Sequence, residues 1–140
     1  MKTRSLLNYL AGAVETLEEP TTKTIVLPNE LAPEDSIDAD VFFEIFSGGT
    51  TPEIETENSD VGAIVGSIVL NGRTNVGVAY LDGIAENLLA LFRANNPNRR
   101  KGFVDGNAKA YVVGVERSEG GIDNGRYKIT IFITFDIYED

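Results

Sequence analysis

A chain of 140 residues with 42% hydrophobic and 24% charged residues and a formal net charge of −10 has the composition of one soluble globular domain. It contains no Cys and no His. Those absences exclude disulfide frameworks, thiolate metal sites, cysteine nucleophiles, Ser-His-Asp triads and nearly all zinc or non-haem iron centres, so any catalysis would rest on carboxylates, Lys, Tyr or Ser.

The first residues, "MKTRSLLNYLAGA", have the outline of a secretory leader, but Asn8 interrupts an apolar run that is already short. The segment is read instead as an amphipathic helix over 3–18. Leu6, Leu10, Ala13 or Val14, and Leu17 fall on one face, Leu7 widens it, and Pro20 stops it. Glu18 and Glu19 oppose the dipole at its end, so the last turn is expected to fray. No apolar run approaches the ~18 residues of a membrane span, and the reading is of a protein made in a cytoplasm, with no membrane partner.

"TKTIVLP" predicts a short strand at 23–27. "DADVFFEIFSGG" predicts another at 39–46, its run of apolar residues implying burial on both faces. Residues 47–61 are Gly-rich and acidic and read as a polar loop or loose hairpin arm, after which "GAIVGSIVL" at 62–70 resumes a buried strand. The next segment has two readings. Asn71-Gly72 suits a tight hairpin turn, or a helix over 75–94 follows a polar connection. The helix is preferred because Val78, Leu81, Ala85, Leu88 and Phe92 make one stripe, broadened by Ile84 and Leu91, with Asp82, Glu86 and Asn87 off it. Gly77 and Gly83 weaken such a helix by about 1 kcal/mol each, so at least one is expected to mark a close backbone approach.

"AKAYVVGVER" at 108–117 predicts a strand with Tyr111, Val113 and Val115 as its apolar set, and "SEGGIDNG" a long turn. In "RYKITIFITFDIY" the residues Tyr127, Ile129, Ile131, Ile133, Phe135 and Ile137 share one face opposite Lys128, Thr130, Thr134 and Asp136. A strand of that length is expected to extend past its sheet and offer an edge. The order α-β-β-β-α-β-β gives an α+β fold, two helices packed on one face of a mainly antiparallel sheet, as a single domain over 1–140.

Phosphate-loop, dinucleotide, nucleophile-elbow and EF-hand patterns are absent from the sequence. "GGIDNG" could cradle an ion through Asp123 and Asn124, yet a hairpin turn explains it fully. Glu53, Glu55 and Glu57 would share one face of an extended segment, and a solvated row is favoured over a cation site. No cofactor, metal or catalytic residue is assigned.

Charge is distributed unevenly. From Thr24 to Gly72 there is no Lys or Arg and there are ten acids, whereas 93–101 holds Arg93, Arg99, Arg100 and Lys101 and no acid. A solvated loop, a contact with another protein and a phosphate or DNA site are the three readings of this stretch; the last would have to overcome the surrounding acidic field, and Phe103 is the only aromatic in reach.

The element order, with "GSIVLNGRTNVGVAYLDGIAENLLALF" followed by "AKAYVVGVER" and "RYKITIFITFDIY", resembles the tail-terminator (tail-completion) proteins of long, non-contractile phage tails. The resemblance covers nearly the whole chain as a pattern and rests on no signature motif. It implies a structural virion protein and not an enzyme: a homo-oligomeric ring, typically a hexamer, that caps the last tail-tube ring, stops its polymerisation and presents a surface to the head-side connector. The expected partners are further copies, the tail-tube protein and the connector, with DNA only as it passes through. The segment 47–61 departs from the family's pattern.

Arg99, Arg100 and Lys101 are the candidate interface or lumen residues, facing Glu53, Glu55 and Glu57 of the adjacent copy. Other head-tail joining or tail-tube subunits share this outline, and a monomeric carboxylate enzyme or ligand-binding domain is the reading from a different class.

Overall fold

The computed structural model describes residues 3–28, 39–52, 60–93, 101–123 and 125–139. Two α-helices lie on one face of a seven-stranded, mainly antiparallel sheet, so the fold is α+β as the periodicities predict. The elements are α1 (Thr3–Glu15), β1 (Ile25–Val26), β2 (Val41–Pro52), β3 (Asp60–Arg73), α2 (Val78–Phe92), β4 (Gly102–Asp105), β5 (Ala108–Arg117), β6 (Gly121–Asp123) and β7 (Arg126–Glu139). The strand order is β1-β2-β3-β7-β5-β4, with β6 also beside β7. Among the described residues only the β1–β2 pair is parallel.

Burial follows the two periodicities. Leu6, Leu10 and Val14 of α1, and Leu17 just beyond it, are buried. The helix stops at Glu15, short of 18: the Thr16 hydroxyl donates to the Ala13 carbonyl at 2.6 Å and the Leu17 N–H to Val14 at 3.1 Å, tightening the end where the two glutamates oppose the dipole. Beneath the helices lie Phe43, Ile45, Ile64, Ile68, Leu70 and the odd-numbered residues Ile129 to Ile137. Phe42, on the opposite face, is fully buried too, with the Arg126 guanidinium 4.7 Å from its ring centre. The two-sided burial predicted for 41–46 therefore holds at Phe42 and Phe43.

Asn71 and Gly72 lie inside β3, so the hairpin alternative is excluded. A short 3₁₀ turn, Thr74–Val76, leads to Gly77, whose φ of +99° starts α2 three residues later than expected. Leu81, Ile84, Ala85, Leu88, Leu89 and Phe92 are buried, while Val78, placed in the stripe by sequence, is 45% exposed. Neither Gly77 nor Gly83 marks a close approach, because space around both is open. The close approaches beneath the helices are on β3. A Cβ on Gly66 would lie 2.7 Å from Leu10 Cδ1, and one on Gly72 would overlap the Leu81 side chain. α1 and α2 each rest on one of these bare positions.

Five further expectations change. Residues 102–105, read as part of a loop, form β4 against β5, and 121–123, read as turn, form β6 against β7. β2 continues past 46 through a bulge, with Gly48 and Gly49 opposite Val65, and reaches Pro52, so 47–61 is a hairpin arm at its base. β5 buries Ala108, Ala110 and Val112 instead of Tyr111 and Val113. An extra residue at Val113 then reverses the alternation and turns Val115 and Arg117 to the helix side. The long strand β7 is central, not an edge: it pairs with β3 over all of Asp60–Arg73 and with β5 and β6 on its other side.

Gly72→Ala should lower stability by about 1–3 kcal/mol through overpacking against Leu81, without loss of fold. Urea unfolding followed by circular dichroism measures it, and Gly83→Ala, in open space on a helix, should be neutral or stabilising.

Candidate subunit interface

The basic loop is pinned at both ends. Arg93 closes α2, its N–H donating to the Leu89 carbonyl at 3.2 Å, and is exposed. Lys101, also exposed, offers its carbonyl to the Val112 N–H at 2.7 Å, which makes it the rung before β4. Arg99 and Arg100 lie outside the described residues, as do Glu53, Glu55 and Glu57. The strands that adjoin these groups in sequence have fixed places. Lys101 enters the sheet at one edge, while β2, from which the acidic sequence continues, lies across β5, β7 and β3. Four strand spacings amount to about 19 Å. The two charged segments thus join the sheet at opposite edges, with β3, β7 and β5 between their points of attachment.

Phe103, the one aromatic within reach of the basic loop, is committed to the core side. Its ring stacks on Tyr9 at 4.9 Å between centroids and meets Phe135 edge-on at 5.6 Å. Stacking on Tyr9 takes up one face of the ring, which weakens the case for a single-strand binding arrangement.

A cross-brace that the sequence did not suggest ties α2 to the sheet. Arg117 donates to Asp82 and to Glu86, each at 3.1 Å, and the Tyr127 hydroxyl donates to Asp82 at 3.2 Å. Burial disfavours the Arg117 charge, but the bonds to Asp82 and Glu86 outweigh it and the group is held above its ordinary value. Asp82 and Glu86 are four apart and share a helix face, a legible signal. Their partner was hidden, because only the bulge at Val113 brings Arg117 to that side.

Asp123 accepts an ion pair from Lys128 at 3.3 Å within the β6–β7 hairpin, and Gly125, at φ +75°, makes its turn. The Gly-rich segment is therefore used internally as a turn. A cleft of about 420 Å³ lies between the α1–β1 connection, the start of β2 and α2. It is lined by Thr21, Thr22, Thr24 and Asp40, and Tyr80 donates to Glu19 across it at 3.1 Å. Among the described residues no group of three or more carboxylates could hold a metal ion, and no helix is long and apolar enough to cross a membrane.

Neither a protein-family model nor a curated protein sequence matches the chain. Solved structures do match in fold. One superposes on 98% of this chain and 96% of its own with a TM-score of 0.61 at 13% identity, a likeness that shows a shared fold.

The Tyr127 phenol is held above its ordinary value of 10.0, first by burial, then by the Asp82 charge and the bond to it. The folded state binds that proton more tightly than the unfolded chain. The stabilisation is complete below pH 10.0 and is lost as pH rises through the higher folded value. Tyr127→Phe should make the alkaline fall of the urea midpoint shallower. Part of the fall should remain, because burial raises Tyr9, and burial with the Glu19 hydrogen bond raises Tyr80.

Proposed function

We propose that this chain is a structural virion protein, the subunit of a ring that caps the tube of a long, non-contractile phage tail, ends its polymerisation and provides the surface joining tail to head. The observation that carries the reading is the attachment of a basic and an acidic segment at opposite edges of one sheet. A cyclic ring is built from heterologous contacts, in which one patch of a subunit meets a different patch of its neighbour. An edge entered by Arg99, Arg100 and Lys101 and an opposite edge continuing into Glu53, Glu55 and Glu57 supply two such patches. The tail-terminator resemblance of the element order gives the ring its setting, with the tail-tube protein and the head-side connector on its two faces and DNA passing through.

Long-range attraction between these patches steers copies together and fixes register more than it adds affinity. A pool of partners carrying a formal charge of −10 each repels itself, so the local basic loop has a disproportionate effect on encounter. No step of this role needs a catalytic group or cofactor.

Arg99→Glu combined with Arg100→Glu should weaken assembly at least tenfold at low ionic strength, and less at high salt, where the attraction is already screened. Light scattering across a salt series measures this, with negative-stain images of the wild type showing rings. Unchanged assembly at every salt would remove the charged contact. A terminator and another head-tail joining or tail-tube subunit separate in particles made without the protein, where overlong tails mark the terminator.

A further inference from the structure

β4 is an edge strand with little defence. It has β5 on one side and no described strand on the other, and its four residues, Gly102 to Asp105, include no Pro, no Lys and no bulge. The Val112 N–H bonds to the Lys101 carbonyl, and antiparallel bonding alternates, so Phe103 and Asp105 bond toward β5 while the N–H and C=O of Val104 aim away from the sheet. Val104 is also 64% exposed, an aliphatic side chain on an open edge. Its cross-strand row runs through Lys109 to Tyr138, itself 41% exposed.

At the other edge, β1 pairs with β2 only at Phe43 and Glu44, and no described strand lies outside Thr50–Pro52. Pro52 and the Gly48–Gly49 bulge restrict that edge without closing it, which limits what can pair there.

We propose, building on the ring reading above, that the free edge of β4 in one copy pairs in parallel with the outer end of β2 in the next, so that neighbouring sheets continue into one another. The occupant of the β4 edge is a second copy of this chain, for three reasons. First, β2-β3-β7-β5-β4 are successive antiparallel neighbours, so β2 and β4 point the same way. Head-to-tail repetition then pairs them in parallel with every copy's helices on the same face.

Second, the registers place Gly102 level with Tyr111, Asp136, Ala63 and Thr51. Pairing at that level leaves no shift along the strands from copy to copy, and a repeat without rise closes into a ring instead of winding into a filament. Third, charge favours this pairing over its rivals: β4 follows Lys101, and β2 leads into Glu53. Pairing β4 with β4 would bring like charges together and stop at a two-fold dimer.

Val104→Pro removes an N–H that faces away from β5, and the β4–β5 bonds stay intact. Light scattering should show the multi-subunit wild type reduced to single subunits, with circular dichroism and melting temperature close to the wild type's. Because the chain has no Cys, single cysteines report the pairing directly. In this pairing Val104, two residues past Gly102, comes level with position 53 of the neighbour, two past Thr51, so under mild oxidation a mixture of Glu53→Cys and Val104→Cys proteins should give cross-linked pairs containing one of each.

Wild-type rings with no mixed cross-link, and rings retained by the Val104→Pro variant, would overturn the edge pairing and leave the ring reading standing. Cross-linking of the Val104→Cys protein with itself alone would overturn it in favour of a two-fold dimer. A wild type that stays monomeric at its highest soluble concentration would overturn both readings.

Discussion

The pairing of β3 with β7 is the constraint on which the rest of the molecule depends. Fourteen consecutive residues of each strand are in register without a break, from Asp60 opposite Glu139 to Arg73 opposite Arg126. Shifting that ladder by one residue would carry Ile129, Ile131, Ile133, Phe135 and Ile137 to the solvent face, a loss of about 1.5–3 kcal/mol for each side chain. Hence the register is fixed by the core. Every other strand takes its level in the sheet from these two, and so do the points at which both charged segments join it.

The helices are seated by what β3 lacks. Gly66 beneath Leu10 and Gly72 beneath Leu81 leave two bare places on the sheet, one for each helix. Asp82 and Glu86 then hold α2 over β5 through Arg117, and Tyr127 on β7 joins the same cluster. The bulge at Val113 makes this possible. One extra residue on β5 reverses its alternation, so the strand starts by packing Ala110 and Val112 beneath the helices and ends by reaching up to α2 with a cation.

Assembly is where the edges matter. With β7 central, the sheet ends at β4 on one side and at β1 and β2 on the other, and the chain's opposite charges enter at these ends. Self-repulsion of an acidic protein favours separate subunits at low salt, and a localised opposite charge selects the one approach in which attraction wins. The proposed ring uses both effects, its subunits staying dispersed until the right edge meets the right neighbour. Phe103, beside the basic segment in sequence, packs on Tyr9 on the helix side of the sheet.

The sequence by itself determined the two helices, the long strands and the α+β class, because periods of 3.6 and 2 are local consequences of which face is buried. It also determined the charge asymmetry and the absence of thiol and imidazole chemistry, which are matters of composition. Tertiary structure decided the rest. Residues 102–105 and 121–123 are too short and too mixed to announce themselves and became strands only because β5 and β7 stood ready to pair. Which glycines are close approaches depended on where the helices land, so suspicion fell on Gly77 and Gly83 within the helix pattern while Gly66 and Gly72 in the strand did the seating.

The inward set of β5 and the partner of Asp82 both turned on one inserted residue, which alternation alone cannot locate. The last decision was the place of the final strand. Its length is written in its alternation, but whether a long strand is an edge or a centre depends on its neighbours, and two sides of hydrogen bonding made it the centre.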